Sequence, residues 1–371
     1  MTKTTSPMKY DMFVMPIHDP TKPPAQCYDE DLELAVKTEE LGFGCFWVGE
    51  HHSSTYENIV MPEIFLGKVL GVTKTIRLGP APVCLQYHNP VHIAGRLAFL
   101  DHLSHGRLNV CFGPGAVVSD LETFAIDPRE SGARVVEAID MILKIWTSDP
   151  PYQIDGNFWN LSLCDNINDD FGIGQLPKPL QQPYPSIYVP VMNRGTPGLH
   201  AAAARGFLPI SHHMLHTEVL IDQWKTYREG AESAGRTAQP GDWSVSRNIL
   251  VADSTEEARK LARENSVGKT IQYVLGVTGR YAPTGLDIFK RNADMTDAEC
   301  NMDYFMDEVI IAGDPDTVTQ RLLELYEQVG GFGTLVVVAH DWDDRSHHLR
   351  SLDLIATEVV PAVNRAIGAA T

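Results

Sequence analysis

Residues 100–115, LDHLSHGRLNVCFGPG, join the end of a helix to a short apolar strand through a turn at Ser104–Gly106. The strand finishes in two closely spaced glycines, Gly113 and Gly115. Glycines at the end of a strand allow a planar or bulky group to approach the backbone, although a tight turn would use them equally well. The stretch predicts one unit of a helix-and-strand alternation, with a candidate site at the carboxyl end of the strand.

The same alternation continues along the chain, where short apolar runs bounded by Gly, Pro or Asp are followed by stretches with helical spacing. Eight strands are predicted, at 10–16, 44–49, 76–85, 108–113, 186–192, 207–211, 245–252 and 334–340. Eight strands that alternate with helices favour a parallel α/β barrel over two separate domains. An open doubly wound sheet is the alternative fold. No G-x-G-x-x-G follows the first strand, so the dinucleotide-binding form of that sheet has little support.

Three helices are predicted from their buried faces. The stripes are Leu32, Ala35 and Val36 with Glu39 as a polar edge in the first, Val135, Ile139, Ile142 and Trp146 in the second, and Val318, Leu322, Leu325 and Val329 in the third. The third helix begins at GDPDTV, where Asp314 can cap the helix and Pro315 occupies its first turn. Residues 1–371 are predicted to form a single barrel domain, with insertions at 150–184 and 262–306.

Composition and charge exclude several classes of protein. The chain is 43% hydrophobic and 21% charged, as expected of a globular protein. Its formal net charge is −18 and it has no run of lysine or arginine, so neither nucleic acid nor an anionic membrane is an expected partner. A small-molecule partner is favoured instead.

The cysteines and the first residues of the chain indicate the cellular compartment that is expected for the protein. The six cysteines are scattered without a C-x-x-C, which argues against a disulfide framework or a thiolate zinc site. No apolar run reaches the length of a membrane span, and the first residues lack the apolar region of a secretory signal. A cytoplasmic location is therefore expected.

Two adjacent histidines, His51 and His52, follow Glu50 where the apolar stretch 43–48 ends. In a barrel, the carboxyl end of a strand lies on the active-site face. Neighbouring side chains at a strand end point to opposite sides, so a shared metal ion is not expected and no metal site is predicted. The remaining alternatives are a proton-handling residue and a loop histidine bonded to the backbone.

The segment GPAPV (79–83) places Pro82 within a predicted strand, where it cannot donate to the sheet. A cis peptide bond between Ala81 and Pro82 would be one way to accommodate it. Histidines also follow strands at His18, His212 and His213, where they would either line a substrate or form a polar rim.

The segment NRGTPGLHAAAARG (193–206) begins a helix at Thr196 and Pro197. Exposed amides at a helix start, beside the side chains of Thr196 and Arg194, would suit a phosphate group. A capped helix without a ligand is the alternative.

Five segments resemble the landmark segments of bacterial-luciferase-like flavin monooxygenases and occur in the same order as in that family. They are WVGEHHSSTYEN (47–58), LGPAPV (78–83), LDHLSHGRLNVCFGPG (100–115), VMNRGTPGLHAAAARG (191–206) and IAGDPDTVTQRL (311–322). The resemblance extends over roughly residues 8 to 365. YENIVMPE (56–63) and the segment from residue 311 to 342 are most similar to the branch that contains diketocamphane and limonene monooxygenases.

The resemblance implies a luciferase-like (β/α)8 barrel that receives reduced FMN from a separate flavin reductase. Such an enzyme reacts the flavin with O2 to a 4a-hydroperoxide and inserts one oxygen atom into an organic substrate. A small hydrophobic substrate of the cyclic ketone or terpene kind and a homodimer packed through barrel helices are further expectations. The alternatives are a deazaflavin-dependent oxidoreductase on the same barrel, which would transfer hydride, and a flavin-binding relative without catalytic activity.

The resemblance also implies roles for individual residues. His51 matches the histidine that lies beside the flavin and supports catalysis, and Asp120 matches a carboxylate that polarises residues of the flavin site. The cofactor-binding residues that the resemblance implies are Ala81 and Pro82 beneath the isoalloxazine ring, and Asn193, Arg194, Gly195 and Thr196 around the phosphate. Gly113 is predicted to bind the cofactor as well, because a glycine at the end of the strand lets a planar group approach the backbone.

There is one departure from the luciferase α chain. That chain carries a reactive cysteine and then an arginine after the fourth strand, whereas this sequence has Gly113 and Pro114. Compensation of the phosphate charge must then come from elsewhere, and Arg194 is the nearest candidate.

Overall fold

A computed structural model describes residues 7–368. Its strands are β1 (Lys9–Val14), β2 (Cys45–Val48), β3 (Arg77–Pro80), β4 (Val83–Cys84), β5 (Val110–Gly113), β6 (Tyr152–Asp155), β7 (Asn160–Leu163), β8 (Ile187–Val191), β9 (Leu208–Ser211), β10 (Ser244–Arg247), β11 (Ile249–Val251), β12 (Ile311–Gly313) and β13 (Thr334–Ala339). Its α-helices are α1 (Pro24–Glu40), α2 (Pro62–Leu70), α3 (Pro90–Leu103), α4 (Val118–Thr123), α5 (Ser131–Thr147), α6 (Pro197–Ala204), α7 (Thr217–Ser233), α8 (Thr255–Glu264), α9 (Ser266–Tyr281), α10 (Met302–Tyr304), α11 (Pro315–Val329), α12 (Arg345–Leu354) and α13 (Val360–Ala366).

Short 3₁₀ and π segments complete the secondary structure. The 3₁₀ segments are Leu85–Tyr87, Pro128–Glu130, Asp169–Phe171, Pro240–Asp242 and Gly285–Phe289, and the π segments are Phe305–Val309 and Ile355–Val359. Within residues 7–368, none of the helices has both the length and the apolar character needed to cross a bilayer.

Within the described residues, 7–46 and 189–368 form a first compact unit. The strands of its main sheet are neighbours in the order β2, β1, β13, β10, β9 and β8. β1 pairs in parallel with β13, from Lys9 opposite Thr334, and β10 pairs in parallel with the other side of β13. β9 continues the parallel sheet beside β10. The carboxyl ends of β9, β10 and β13 therefore lie along the same edge of this sheet.

Residues Trp47–Tyr188 form a second compact unit. In this unit β4 pairs in parallel with β5, with Val83 opposite Phe112, and β5 pairs in parallel with the first residues of β8. β6 and β7 form an antiparallel hairpin within the predicted insertion at 150–184. Parallel strands alternate with helices in both units, which confirms the predicted α/β class. The prediction of a single domain over residues 1–371 stays a prediction.

The turn at the centre of LDHLSHGRLNVCFGPG is held by its own polar side chains. The fully buried carboxylate of Asp101 accepts hydrogen bonds from the backbone and side-chain nitrogens of Gln181, both at 2.8 Å. Gly106 has a φ of +79°, a conformation that favours glycine. The guanidinium of Arg107 donates to the carbonyl of Ile76 at 3.0 Å. These contacts fix the turn that connects α3 to β5.

All eight predicted strands are present, but two of them are interrupted. The stretch 76–85 is divided into β3 and β4 at the cis peptide bond between Ala81 and Pro82, which confirms the predicted bond. The stretch 245–252 is divided into β10 and β11 at Asn248. The β12 strand was not predicted, because three residues are too few to show a period.

The predicted buried face is confirmed for α11 and for three of the four residues in α5, where Val135 is half-buried, and it is partly wrong for α1. The buried face of α11 consists of the four residues predicted for it, and the Asp314 side chain accepts from the amide of Thr317 at 2.8 Å. In α1 the buried residues are Cys27, Asp31, Leu34, Ala35 and Thr38, so only Ala35 of the predicted stripe is buried. Two of these are polar, and each has a partner: Asp31 pairs with His18 at 3.2 Å and Thr38 donates to a backbone carbonyl.

Candidate active site

The paired histidines lie in the loop that follows β2 in the second unit. β2 ends at Val48, whose carbonyl accepts from the amide of Ala81 at 2.7 Å. The amide of His51 donates to the carbonyl of Ile59 at 3.0 Å, which closes the loop on itself. These backbone bonds place His51 and His52 directly beyond the strand end, as the sequence predicts.

His51 faces two carboxylates. Its Nδ1 lies 3.5 Å from Oε2 of Glu57 and 3.8 Å from Oδ2 of Asp120. Both carboxylates are buried, with 6% and 1% of their surface exposed. The distances are those of ion pairs rather than short hydrogen bonds. Nδ1 is therefore the protonated nitrogen, because an acceptor there would face two negative charges.

The charges around His51 decide its protonation. Burial alone would lower the pKa of His51, but the negative charges of Glu57 and Asp120 outweigh it, so that the pKa of His51 is raised above its ordinary value. The imidazolium form is thus available near neutral pH. Nε2 of His51 has no hydrogen-bond partner within residues 7–368, and the side chain is 18% exposed. That nitrogen is free to exchange a proton with a ligand.

Asp120, in α4, organises the loop as well as pairing with His51. Its carboxylate accepts from the amide of His52 at 3.2 Å and from the hydroxyl of Ser53 at 2.5 Å. Burial raises the pKa of Asp120, but the bonds from His51, Ser53 and the His52 amide outweigh it and the pKa is lowered. Asp120 is therefore an ionised anchor of the histidine loop.

Glu50 is the centre of a second network. Its Oε1 lies 2.7 Å from Nε2 of His52 and 2.7 Å from Nε2 of His88, and its Oε2 accepts from the amide of Cys84 at 3.0 Å. Burial by itself raises the pKa of this carboxyl, yet the bonds from His52, His88 and Cys84 lower the pKa of Glu50 to about 2. An ionised Glu50 holding two imidazole N–H donors is termed here the glutamate clamp.

The members of the glutamate clamp, Glu50, His52 and His88, also have a spacing that a metal ion could use. The hydrogen bonding argues for a different role. Nδ1 of His88 lies 3.4 Å from a guanidinium nitrogen of Arg96, which can only donate, so Nε2 of His88 carries the proton. A metal would need that nitrogen as a bare lone pair. The contacts therefore favour a hydrogen-bonded clamp.

Aromatic rings pack around His52, which gives it a different environment from that of His51. The His52 ring makes edge contacts with Phe124, at 4.8 Å between centroids, and with Tyr87, at 5.6 Å. Tyr87 and Phe124 stack on each other at 4.8 Å. His52 is thus a packed and clamped residue, whereas His51 keeps an open nitrogen.

The glycines at and just after the end of β5, Gly113 and Gly115, have a local structural role. Gly115 has a φ of +73°, and a Cβ there would lie 2.7 Å from the hydroxyl oxygen of Tyr87. The planar group that approaches Gly115 is therefore the ring of Tyr87. Gly113 pairs with Cys84 across the sheet. Cys84 and Cys111 are buried, and desolvation raises the pKa of both thiols, so neither is a reactive thiolate.

The predicted phosphate loop belongs to the first unit, where it contacts α7. Arg194 pairs with the carboxylate of Asp222 and donates to the carbonyl of Arg291. Thr196 caps α6 by accepting from the amide of Leu199 at 3.2 Å.

The two remaining residues of this loop are also held in place. The carbonyl of Asn193 accepts from the Gln223 side chain at 2.6 Å. A Cβ on Gly195 would lie 1.8 Å from the Thr226 hydroxyl, so only glycine fits there. These contacts hold the loop in one conformation, and its role in binding phosphate stays a prediction.

Sequence reasoning did not find Glu57, Ser53 or His88 as members of the histidine networks. Ser53 and Glu57 stood within WVGEHHSSTYEN, but nothing in their spacing indicated which would turn inward. His88 lies 38 residues from Glu50, and the only sequence signal was its position just after a predicted strand.

Comparison with known proteins identifies the family. Residues 8–331 match the luciferase-like monooxygenases. In sequence, the chain is 30% identical to a 2,5-diketocamphane 1,2-monooxygenase of Pseudomonas putida over 96% of this chain and 99% of that protein. It is 28% identical to a limonene 1,2-monooxygenase of Rhodococcus erythropolis over 99% of this chain and 90% of that protein.

A solved structure gives the same assignment for the fold. The oxygenating constituent of 3,6-diketocamphane monooxygenase from Pseudomonas putida, a type II Baeyer-Villiger monooxygenase solved with FMN, superposes with a TM-score of 0.86. The two chains are 27% identical, with 96% of this chain and 98% of that chain covered.

The chain belongs to the luciferase-like monooxygenase family and has the luciferase-like α/β fold. It is a flavin-dependent monooxygenase, an oxidoreductase that uses molecular oxygen. The predicted family, its diketocamphane and limonene monooxygenase branch, and the enzyme class are confirmed.

Proposed function

We propose that this chain is the oxygenating component of a two-component system that uses reduced FMN and O2 to insert one oxygen atom into a small hydrophobic substrate. The observation that carries the proposal is the open Nε2 of His51, on a ring whose Nδ1–H is directed at Glu57 and Asp120. A histidine whose Nδ1–H is held by carboxylates can hold or deliver one proton at a single defined atom, Nε2.

The residues of the second unit fit a flavin. His51 Nε2 is open to a polar partner, and Ala81, Pro82 and Gly113 lie in or next to the strands β3, β4 and β5 of the same unit. When bound, FMN supplies the two-electron chemistry that activates O2. Ala81, Pro82 and Gly113 would hold the ring, and His51 would control the proton at the reacting end.

The protein contributes proton control and exclusion of competing chemistry. Asp120 and Glu57 keep the proton on Nδ1 of His51, so exchange with a ligand is confined to Nε2. The neutral thiols of Cys84 and Cys111 do not compete as nucleophiles or reductants. The rings of Tyr87 and Phe124 cover the neighbouring histidine and limit access of water on that side.

The relatives support a cyclic ketone or terpene as substrate, since their names specify diketocamphanes and limonene. A separate flavin reductase is the partner we propose, because the solved relative is described as an oxygenating constituent. A homodimer and a cytoplasmic location complete the proposal.

The two-component assignment has a direct test. The purified chain should not oxidise NADH with added FMN, but should oxygenate a diketocamphane or limonene once a flavin reductase is added. Product would be measured by mass spectrometry with ¹⁸O2, and one labelled oxygen per product molecule is expected. Rapid NADH oxidation by the chain alone would contradict the proposal, and hydride transfer from a deazaflavin without O2 would replace it.

Arg194→Ala tests the phosphate loop. If Arg194 binds the phosphate of FMN, its replacement should weaken binding of reduced FMN by roughly 10–100-fold, the equivalent of a charge-assisted hydrogen bond. Affinity would be measured by anaerobic titration.

Asp222→Asn is the matched control, because it releases Arg194 from its ion pair. This variant should bind reduced FMN at least as tightly as the natural chain. Unchanged affinity in Arg194→Ala would assign the phosphate to another loop.

A further inference from the structure

A buried polar cluster lies at the carboxyl ends of β9 and β10 in the first unit. The two strands are parallel neighbours, with Ser211 opposite Val245. His213 follows β9, Arg247 ends β10 and Asn248 comes next, and their exposed fractions are 1%, 2% and 0%. These three residues are termed the arginine cluster. Carboxyl ends of parallel strands are where α/β proteins bind ligands.

Each member of the arginine cluster has a polar atom without a partner. Asn248 Nδ2 lies 2.8 Å from Nδ1 of His213, so with the amide as donor, Nε2 of His213 carries the proton. That Nε2–H, Oδ1 of Asn248 and Nη2 of Arg247 have no hydrogen-bond partner in the part of the chain that the structure describes. Buried polar side-chain atoms are nearly always paired in folded proteins, so three exceptions in one cluster point to a ligand.

The charge of Arg247 is also unbalanced. Its Nη1 donates to the carbonyl of Ser246 at 3.0 Å, and within residues 7–368 it forms no ion pair with a carboxylate. Burial lowers the pKa of Arg247 to about 10, so the guanidinium is still charged at neutral pH. Burial likewise lowers the pKa of His212 and His213, with Arg247 adding to the effect, so both are neutral.

An uncompensated buried cation is unusual in a chain whose formal net charge is −18. The chain has 48 aspartates and glutamates, yet none of those within residues 7–368 forms an ion pair with Arg247. A buried charge without a partner destabilises a fold, and groups held at such a cost are commonly functional. The missing partner must therefore come from outside the chain.

The donors and acceptors of the arginine cluster define the class of ligand. Arg247 Nη2 and His213 Nε2–H donate, whereas Oδ1 of Asn248 accepts. A phosphate dianion offers only acceptors and would be repelled by that amide oxygen. A carbonyl oxygen, with partial negative charge and a small size, satisfies the donors without that conflict, and water or a ligand hydroxyl can satisfy Asn248.

We propose that Arg247, His213 and Asn248 bind the carbonyl oxygen of the organic substrate, which makes this enzyme selective for ketones over hydrocarbons of the same shape. The inference rests on the proposed oxygenating function; it adds the residues that bind the substrate carbonyl and favours a ketone over a terpene hydrocarbon. A site built to hydrogen-bond a substrate group rejects analogues that lack it, because its own polar atoms are then left unpaired. A flavin ring also carries carbonyl groups, so the test separates the two sources.

The first arm of the test measures binding without flavin. The probes are 2,5-diketocamphane and a series of monocyclic and bicyclic ketones, each compared with its parent hydrocarbon by calorimetry or ligand-observed NMR. At least one ketone should bind ten times or more tightly than its parent. Arg247→Met should abolish that preference and leave the affinity for reduced FMN within a factor of two.

The second arm measures stability. Because Arg247 is buried without a counter-ion, Arg247→Met should raise the melting temperature by about 2–4 °C. Arg321→Met is the matched control, since Arg321 donates to the carbonyls of Ile310 and Asp307, and its loss should lower the melting temperature.

Three results would overturn the inference: no ketone preferred over its parent hydrocarbon, loss of FMN affinity in Arg247→Met with ketone binding intact, or a lower melting temperature in that variant. The ketone and hydrocarbon titrations contain neither flavin nor oxygen. A failure there therefore leaves the oxygenation test of the proposed function unaffected.

Discussion

His51→Ala is expected to reduce oxygen insertion by roughly 10²–10⁴-fold, the loss typical of a removed general acid–base group. The other residues of the loop keep their contacts, because Asp120 still accepts from the His52 amide and from Ser53. Affinity for reduced FMN should therefore change little. Oxygen consumption should be diverted to hydrogen peroxide, and the product-to-peroxide ratio is the quantity to measure.

His52→Ala is the comparison that makes this prediction specific. His52 has its Nε2 engaged by Glu50 and its ring packed by Tyr87 and Phe124. Its loss should lower stability more than it lowers the coupling of oxygen to product. If His52→Ala diverts oxygen to hydrogen peroxide while His51→Ala does not, the proton-handling histidine has been assigned wrongly.

Asp120→Asn gives a pH signature for the same assignment. Asp120 is one of two carboxylates that raise the pKa of His51, so the variant should shift the histidine limb of the pH profile to lower pH. The sign follows from electrostatics, because losing a negative charge beside the imidazolium makes the protonated form less favourable and lowers the pKa of His51. An unchanged pH profile of activity would show that His51 is not the group whose titration limits the activity.

Glu50→Ala is expected to give the largest loss of stability, roughly 3–5 kcal/mol, because it leaves the donors of His52, His88 and the Cys84 amide without their buried acceptor. Glu50→Gln keeps the volume and one acceptor, and should lose less. The measurement is urea unfolding at neutral pH, followed by circular dichroism.

The glutamate clamp also predicts an acid dependence. The pKa of Glu50 is lowered from 4.5 to about 2, which corresponds to about 3 kcal/mol of stabilisation. A lowered carboxyl pKa stabilises the fold above the unfolded value, and that contribution is lost as pH falls from 4.5 towards 2. Glu50→Gln should therefore flatten the stability profile in this window. The exposed Glu122→Gln is the control, and an equal slope in Glu50→Gln and the natural chain would contradict the clamp.

Local sequence signals predicted most of the regular structure. The α11 face at Val318, Leu322, Leu325 and Val329 was predictable because a strict helical period and an Asp-Pro start coincide. The cis bond before Pro82 was predictable because a proline in a strand has few alternatives. In α1 the prediction was wrong, because His18 gives Asp31 a partner and so allows a polar residue to face inward.

The networks of the site depend on contacts that no local pattern encodes. Glu50 and His88 meet only after two strand ends are brought together, and Asp120 reaches His51 across 69 residues of chain. Arg247 did leave a sequence signal, as a charged residue inside the apolar run 245–252. Its missing counter-ion is visible only in three dimensions.

The proposed reaction of reduced FMN with O2 on this chain can be tested by mixing the purified chain anaerobically with chemically reduced FMN, adding oxygenated buffer, and following dissolved O2 and oxidised FMN together. This requires neither a reductase nor a known substrate. Oxidised FMN is expected to appear later than O2 disappears, and His51→Ala is expected to shorten the delay. Oxidised FMN appearing as fast as O2 is lost, as for free reduced FMN, would contradict the proposed reaction.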